Sequence, residues 1–343
     1  MKNQMPEASP VITVVIPTFN RAELLKQTLD SVLCQTYLNW EAVVVDDGSS
    51  DGTTDLLANY QRRDSRIRGM TRGQLPKGAS ACRNIGLAAA QGEYVVFLDS
   101  DDLLGATCLA ERASTVQQNP NADFIAFQGL IFHEKPNDSR LIWNTENEES
   151  DLVRFLRGDA VWNMNGPIWK TASIKKLGGF DEQLGCWQDV DIHLRALIQG
   201  LVYIKRLDTV PDHFVRRHRM SSMSQNGFKS RETIGSILKV YEKTTKALAS
   251  SISTEVKTGQ LYMLAHAVQY ALDNRYFDLA ANGILLGRRD RLLNMQRLVV
   301  WNLAYGCYVV HSKGFRGFAR IGKRLMGSFQ PKFMAGTQKL PGR

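Results

Sequence analysis

Cysteine is scarce and scattered in this sequence: Cys34, Cys82, Cys108, Cys186 and Cys307 stand far apart and form no CxxC pair. That pattern argues against a disulfide framework or a zinc site and for a reducing cytoplasm. Long apolar runs are also missing. None reaches the ~18 residues a spanning helix needs, and the longest, Leu298 to Val310, is interrupted by Asn302 and Gly306. The opening MKNQMPEASP has no apolar core that could serve as a signal peptide. There is no internal repeat and no low-complexity tract. Acids are nearly absent from the last stretch: residues 288–343 hold 12 Lys+Arg and one acid, Asp290.

What remains is an ordinary globular composition, 43% apolar and 22% charged over 343 residues. A chain of this length suits one domain of roughly 200 to 250 residues plus a smaller unit. The net charge of +9 is unevenly placed. Residues 1–230 carry 25 basic against 28 acidic side chains, and residues 231–343 carry 18 against 6. A C-terminal excess of that size points to an anionic partner.

The first half alternates strand and helix signals. Val11 to Ile16 is short, β-branched and wholly apolar, the pattern of a buried parallel strand. Asn20 stands where a helix cap belongs, with Glu23 as its capping-box partner. Leu25, Leu29, Val32 and Leu33 then form an apolar stripe. A second apolar strand ends at Asp46, residues 53–63 and 79–90 read as helices, and Tyr94 to Leu98 reads as a third buried strand. Strands joined by helices predict a parallel, doubly wound sheet. Ligands in such sheets bind beyond the carboxyl ends of the strands. Phe124 to Phe132 reads as one strand, Asn163 to Ile168 as another, Gln188 to Gln199 as a helix, and residues 231–343 as mainly helical.

Three strand ends carry polar clusters, predicted to meet at one edge. The first is Pro17-Thr18-Phe19-Asn20 and the second Asp46-Asp47-Gly48-Ser49, running on to Asp51-Gly52-Thr53. The third is Asp99-Ser100-Asp101-Asp102. Alternate carboxylates at a strand end can share a divalent cation, and a hard ion such as Mg2+ or Mn2+ bridges carboxylates to a diphosphate. A carboxylate at the second cluster can accept hydrogen bonds from a base N–H or from ribose hydroxyls. The plainer reading of each cluster is a polar turn, with Asp51 as an N-cap and Asp102 capping whatever helix follows. Further on, Asp189 stands at a helix start within GCWQDVDIHLRALIQG, where the helix dipole would keep its carboxylate ionised. Asp191 and Arg195, four apart, predict a helical salt bridge.

Taken together, PTFNR, then VVVDDGSSDGT, then RNIGLAAAQGEYVVFLDSDD strongly resemble family 2 glycosyltransferases over about residues 10–225. The resemblance implies a Rossmann-like GT-A fold: a mixed sheet flanked by helices, here with a helical C-terminal extension. The expected division is a catalytic domain over 1–230, which holds the resemblance, and a helical, basic region over 231–343, which falls outside it. It implies an inverting transfer of sugar from a nucleotide-diphosphate donor, with uridine the expected nucleoside, using Mn2+ or Mg2+. Position by position, Pro17, Thr18 and Asn20 would lie against base or ribose, and Asp47 would bind the base. Arg83 would lie near the nucleotide or diphosphate, Asp99 would bind ribose or a metal-bound water, and Asp101 would ligate the metal. Asp189 would be the base that deprotonates the acceptor hydroxyl, although Gln188 replaces the usual preceding glutamate. Arg216 and His218 match an Arg-x-His segment followed by Ser221, Ser222 and Ser224, the arginine for the departing diphosphate and the imidazole for the metal; the usual aromatic before the arginine is Val215. Asn163 to Trp169 and Leu177 to Asp181 also fit. Trp169 and Trp187 offer flat faces to a sugar, though core packing is their commoner use.

In the C-terminal part, Leu298, Val299, Trp301, Leu303, Tyr305 and Tyr308 interleave with cations. That composition suits an anionic bilayer. It equally suits a helical unit packed on the core or a dimer partner; no nucleic-acid motif is present. The expectation is a cytoplasmic enzyme, peripheral on the inner face of the membrane, acting on a glycan or lipid-linked saccharide. Two other readings are a sugar nucleotidyltransferase and an inactive nucleotide-sugar-binding scaffold. The first would want a glycine- and lysine-rich loop after the first strand, where PTFNRAE stands; against the second, Asp101 and Asp189 are retained.

Overall fold

The computed structural model describes residues 12–73, 78–217, 230–248, 253–313, 317–327 and 338–339. Ile12–Thr18 (β1), Trp40–Asp46 (β2) and Tyr94–Phe97 (β4) are buried along their whole lengths, which is why they are apolar at almost every position. Ile67–Thr71 (β3), which the sequence reading passed over, emerges only partly buried at the sheet edge. Between these strands run Ala22–Leu33 (α1), Thr53–Arg63 (α2) and Ala79–Ala89 (α3). Leu25, Leu29 and Val32 seal α1 onto the sheet, each contributing about 2 kcal/mol by removal from water.

The rest of the described chain comprises Leu103–Leu104 (β5), Cys108–Gln118 (α4), Phe124–Phe127 (β6), Gly129–Phe132 (β7), Leu141–Ile142 (β8), Asp151–Leu156 (α5), Pro167–Lys170 (β9), Thr171–Lys176 (α6), Gln188–Ile198 (α7), Tyr203–Arg206 (β10) and His213–Arg216 (β11). Arg231–Leu248 (α8), Thr254–Asp273 (α9), Phe277–Arg289 (α10), Met295–Ser312 (α11), Phe318–Gly327 (α12) and the short Gln338–Lys339 (β12) follow. The larger sheet has the order β10-β6-β9-β4-β1-β2-β3. β4, β1, β2 and β3 are parallel, while β9 runs antiparallel to both β4 and β6. The sheet is therefore mixed and flanked by helices. A smaller sheet, β12-β8-β7-β11-β5, stands apart from it.

Phe124 to Phe132, expected as one strand, is two strands in different sheets. The break is Gln128, whose buried side-chain amide donates to the carbonyls of Asn144 and Leu207. Gly129 follows because a Cβ there would sit 2.5 Å from His213 Nε2.

α3 lies close against β1: a Cβ on Gly86 would fall 2.3 Å from Val15 Cγ1. α9 packs on α5, and α8 on α7. One apolar core continues from Phe97, Phe155 and Trp162 to Ile237, Leu264 and Trp301. No helix among the described residues is long and apolar enough to cross a membrane.

Candidate active site

β4, β1 and β2 are adjacent and parallel, so their carboxyl ends share one edge. Thr18 stands opposite Asp46, and the Asp47 N–H donates to the Thr18 carbonyl at 2.9 Å. The three polar clusters meet as the sequence required.

The first two clusters brace each other. Asn20 adopts a left-handed φ of 50° and caps no helix. Its backbone N–H instead donates to Ser49 Oγ at 2.8 Å, and its side-chain oxygen accepts from the Ser50 N–H at 2.8 Å. The cap of α1 comes from the neighbouring loop, because Asp51 Oδ2 accepts the Ala22 N–H at 3.0 Å. Asp51 Oδ1 also accepts from Thr53, and that hydroxyl bond is the main force holding its pKa below 3.8. Gly52, at φ 89°, is the backbone cap of α2.

Asp47 is buried and already engaged. Arg72 Nη1 donates to one carboxylate oxygen and the Gly78 N–H to the other, both at 2.7 Å. Thr18 Oγ1, Ser80 Oγ and Arg83 Nε are buried and have no hydrogen-bond partner among the described residues. They belong to the end of β1 and the first two turns of α3. Buried polar atoms are nearly always satisfied, and three of the eight that lack a partner among the described residues border this one strand edge.

Arg83 ties the centre together. Its Nη2 donates to Asp99 Oδ1 at 2.6 Å and its Nη1 to Gln188 Oε1 at 3.2 Å, with the Phe180 ring 5.5 Å from the guanidinium. It thereby links the end of β4 to the start of α7. Gln188, standing where a glutamate was expected, accepts from this arginine and donates to the carbonyls of Leu184 and Gly185.

Asp189 is half-buried at the start of α7, its Oδ1 accepting the Val190 N–H at 2.9 Å. The sequence argument had the helix dipole favouring its charged form. In the structure desolvation prevails and raises its pKa above 3.8, assisted by the Asp99 charge and opposed by Arg83. The preceding Trp187 is held at φ 61°, a conformation that costs a non-glycine residue about 1 kcal/mol or more. Trp169 is core, stacked on His193 with centroids 5.9 Å apart. Asp191 pairs with Arg195 at 2.8 Å as its spacing foretold, and also with Lys243 of α8 at 2.6 Å.

The acidic turn after β4 is neutralised by arginines. Asp101 pairs with Arg21 at 2.8 Å, and Arg216 Nε donates to the Asp101 carbonyl at 2.8 Å. Arg216 Nη2 reaches Gln27 Oε1 at 2.8 Å, and its guanidinium lies 4.4 Å from the Phe132 ring. Asp102 caps no helix, because β5 follows it. It is buried, accepting from Asn165 Nδ2 at 2.5 Å and the Arg216 N–H at 2.7 Å. Desolvation, then the charges of Asp101 and Asp99, push its pKa well above the ordinary value.

Among the described residues no three His, Cys, Asp or Glu side chains converge on one point. A closed protein cage is therefore not on offer there. The hard carboxylates of Asp101 and Asp99 fit the other mode, in which Mg2+ or Mn2+ keeps waters and takes ligands from a diphosphate. His218, Ser221, Ser222 and Ser224 lie outside the described residues. Sequence reasoning gave no task to Arg21, Arg72 or Asn165; Arg21 closes the PTFNR motif, Arg72 follows β3, and Asn165 sits inside the Asn163–Trp169 segment.

A strand edge with buried polar atoms, an arginine bridge and an acidic turn sits on a mixed, helix-flanked sheet of GT-A type. The family model "Glycosyl transferase family 2" matches residues 13–168. An uncharacterized glycosyltransferase of Haemophilus influenzae is 36% identical over 251 residues, covering 68% of this chain and 93% of its own. A GalNAc(5)-diNAcBac-PP-undecaprenol beta-1,3-glucosyltransferase of Campylobacter jejuni is 34% identical over 142 residues, 41% of this chain and 45% of its own. The chain spans under half the length, 38% and 45%, of two of the curated relatives it matches. The crystal structure of S. aureus TarS residues 1-349 with UDP-GlcNAc superposes with a TM-score of 0.65 at 17% identity, covering 97% of both chains. The chain belongs to glycosyltransferase family 2.

Proposed function

We propose that the chain transfers a sugar from a uridine diphosphate donor to a hydroxyl of a glycan or lipid-linked saccharide, with inversion, in cell-surface polysaccharide synthesis. The observation that carries this reading is the Arg83 bridge, which ties Asp99 to Gln188, the neighbour of Asp189, at the edge where Thr18, Ser80 and Arg83 hold buried atoms without partners among the described residues. The glucosyltransferase relative of C. jejuni, named for an undecaprenol-linked saccharide, supports the acceptor class.

In this reading Pro17, Thr18, Asn20 and Asp47 line the base and ribose. Asp47 keeps acceptor capacity beyond the bonds from Arg72 and Gly78, since a carboxylate has about four lone-pair positions. Asp99 takes the ribose, and Arg83 and Arg216 face the diphosphate. Asp101, with His218, would hold Mn2+ or Mg2+, which when bound neutralises charge on the leaving diphosphate.

Asp189 acts on the acceptor. The acceptor oxygen forms its bond to the anomeric carbon as the bond to the diphosphate oxygen breaks, and its proton passes to the Asp189 carboxylate. A carboxyl group whose pKa is raised by desolvation is a stronger base than one in water, and this suits the task. The basic C-terminal region would hold the enzyme at an anionic membrane on the cytoplasmic side, where a lipid-linked acceptor resides. The test is release or transfer of sugar from a panel of nucleotide sugars with Mn2+. Turnover of a UDP-sugar that is lost on chelation supports the reading, and inactivity across all donors overturns it.

A further inference from the structure

Behind the acidic turn lies a buried polar chain that touches neither the donor edge nor solvent. Arg112 on α4 and Asp212 just before β11 form a two-pronged ion pair, at 2.6 Å and 2.9 Å, with both side chains at most 2% exposed. Asp212 Oδ1 also holds His213 Nδ1 at 2.7 Å. The other ring nitrogen of His213 lies 3.0 Å from Asn163 Nδ2 and 3.1 Å from Asn163 Oδ1. Asn163 Oδ1 is already occupied by the backbone N–H groups of Asn165, at 2.8 Å, and Gly166, at 3.0 Å. With Oδ1 so occupied and Nδ1 turned to the Asp212 carboxylate, the hydrogen-bond network assigns the Asn163 amide nitrogen as the donor to Nε2 and the Nδ1-protonated neutral tautomer to His213. Arg112 Nη1 completes the frame by donating to the Asn165 carbonyl at 2.9 Å.

This frame holds the Asn165 backbone at both its carbonyl and its N–H, and the Asn165 side chain in turn reaches the acidic turn at both ends. Its Oδ1 accepts the Asp99 N–H at 3.1 Å, and its Nδ2 donates to Asp102 Oδ2 at 2.5 Å. One side-chain amide therefore spans the turn that carries Asp99 and Asp101, while Asp102 also accepts the Arg216 N–H from the far side. A turn so held loses little freedom when a ligand arrives, and pre-organisation of this kind appears as affinity. Burying four charged or polar groups is costly unless each is satisfied, and in this chain each is.

We propose that Asn165 is a positioning residue, locked by Arg112, Asp212, His213 and Asn163, that sets the geometry of the Asp99–Asp102 turn for the nucleotide diphosphate. The inference rests on the donor site proposed above. The test uses the full chain as Asn165→Ala and as the nearly isosteric Asn165→Asp, which keeps the acceptor for Asp99 and loses the donor to Asp102. Thr244→Ala in α8, where the hydroxyl bonds only its own helix, is the control for a loss of stability elsewhere.

Amide hydrogen exchange without ligand is read over residues 97–104, against the buried strand 40–46. Expected is faster exchange of 97–104 by at least tenfold in both Asn165 variants, with 40–46 unchanged and Thr244→Ala unaffected in either segment. UDP binding with Mn2+, read by calorimetry, is expected to weaken about tenfold or more in the Asn165 variants and to hold in the control. Exchange of 97–104 that stays at the wild-type rate, or rises only together with 40–46, overturns the inference, because the residue would then be generally structural. Unchanged UDP affinity in variants whose turn has loosened overturns it as well. Should the wild-type chain bind no UDP, the donor reading fails, and the exchange measurement alone decides whether Asn165 holds the turn.

Discussion

Two buried or half-buried carboxylates, Asp189 and Asp212, respond to their surroundings in opposite ways. Desolvation raises the Asp189 pKa above 3.8, and a general base must be ionised to work. The acidic limb of the rate profile is therefore expected above that ordinary value, with activity falling as pH drops through it. Asp189→Asn is expected to lower the turnover number by about 10²–10⁴-fold, the usual worth of a general base. UDP binding should stay near wild type, since no part of the base or ribose contact is removed. A variant with intact turnover would exclude Asp189 as the base. Asp212 is the opposite case: although burial works against it, Arg112 holds its pKa down at about 2, below the 3.8 of a free side chain. A depressed carboxylate stabilises the fold above its unfolded value and loses that contribution as pH falls through the folded one. About 2 kcal/mol should thus disappear between pH ~4 and ~2. In Asp212→Asn that increment should be missing from urea unfolding measured across the same range, and the variant should be less stable at neutral pH because Arg112 is left buried and unpaired.

At the scale of elements, the close seat of α3 on β1 makes a sharp prediction. Gly86→Ala would place a Cβ 2.3 Å from Val15 Cγ1, so helix and strand must part. Overpacking of this kind costs about 1–3 kcal/mol, and because α3 carries Ser80 and Arg83, UDP affinity should fall along with the melting temperature. Unchanged stability would show that the contact relaxes freely. The elements most legible in the sequence were those whose signal is local. β1, β2 and β4 are unbroken apolar runs, and α1 carries a clear stripe. The convergence of three polar strand ends followed from parallel pairing alone. Non-local facts were not legible. Asn20 looks like a helix cap, but the cap of α1 is Asp51, 29 residues away. Phe124 to Phe132 reads as one strand because both halves are buried, and only the partners of Gln128 show why it must break. Asn165 carried no local sign of its task, since that depends on Asp99 and Asp102, more than 60 residues distant.

The charge asymmetry of the whole molecule has a structural counterpart. On α11, Met295, Val299 and Leu303 recur at four-residue intervals and are exposed at 75%, 51% and 55%. Ile321 on α12 is exposed at 51%, beside Arg320, Lys323 and Arg324. The opposite side of α11, with Trp301, Ala304 and Tyr308, is buried against the other helices. The exposed stripe is thus not needed to close the core. Apolar side chains among cations gain from an anionic bilayer in two ways, each basic residue near the surface contributing about 1 kcal/mol and the apolar residues adding burial. Full-length protein is therefore expected to sediment with vesicles containing phosphatidylglycerol and not with neutral phosphatidylcholine vesicles. Raised salt should weaken the binding, because surface charges are screened within about 10 Å at 0.1 M. Val299→Glu with Leu303→Glu should reduce binding at least tenfold while leaving UDP affinity unchanged, since α11 contributes no residue to the donor edge. Binding that survives these two substitutions would place the contact elsewhere. Absence of binding by the wild-type chain would mean that the stripe serves another partner, and the C-terminal charge would then need an anionic ligand other than lipid.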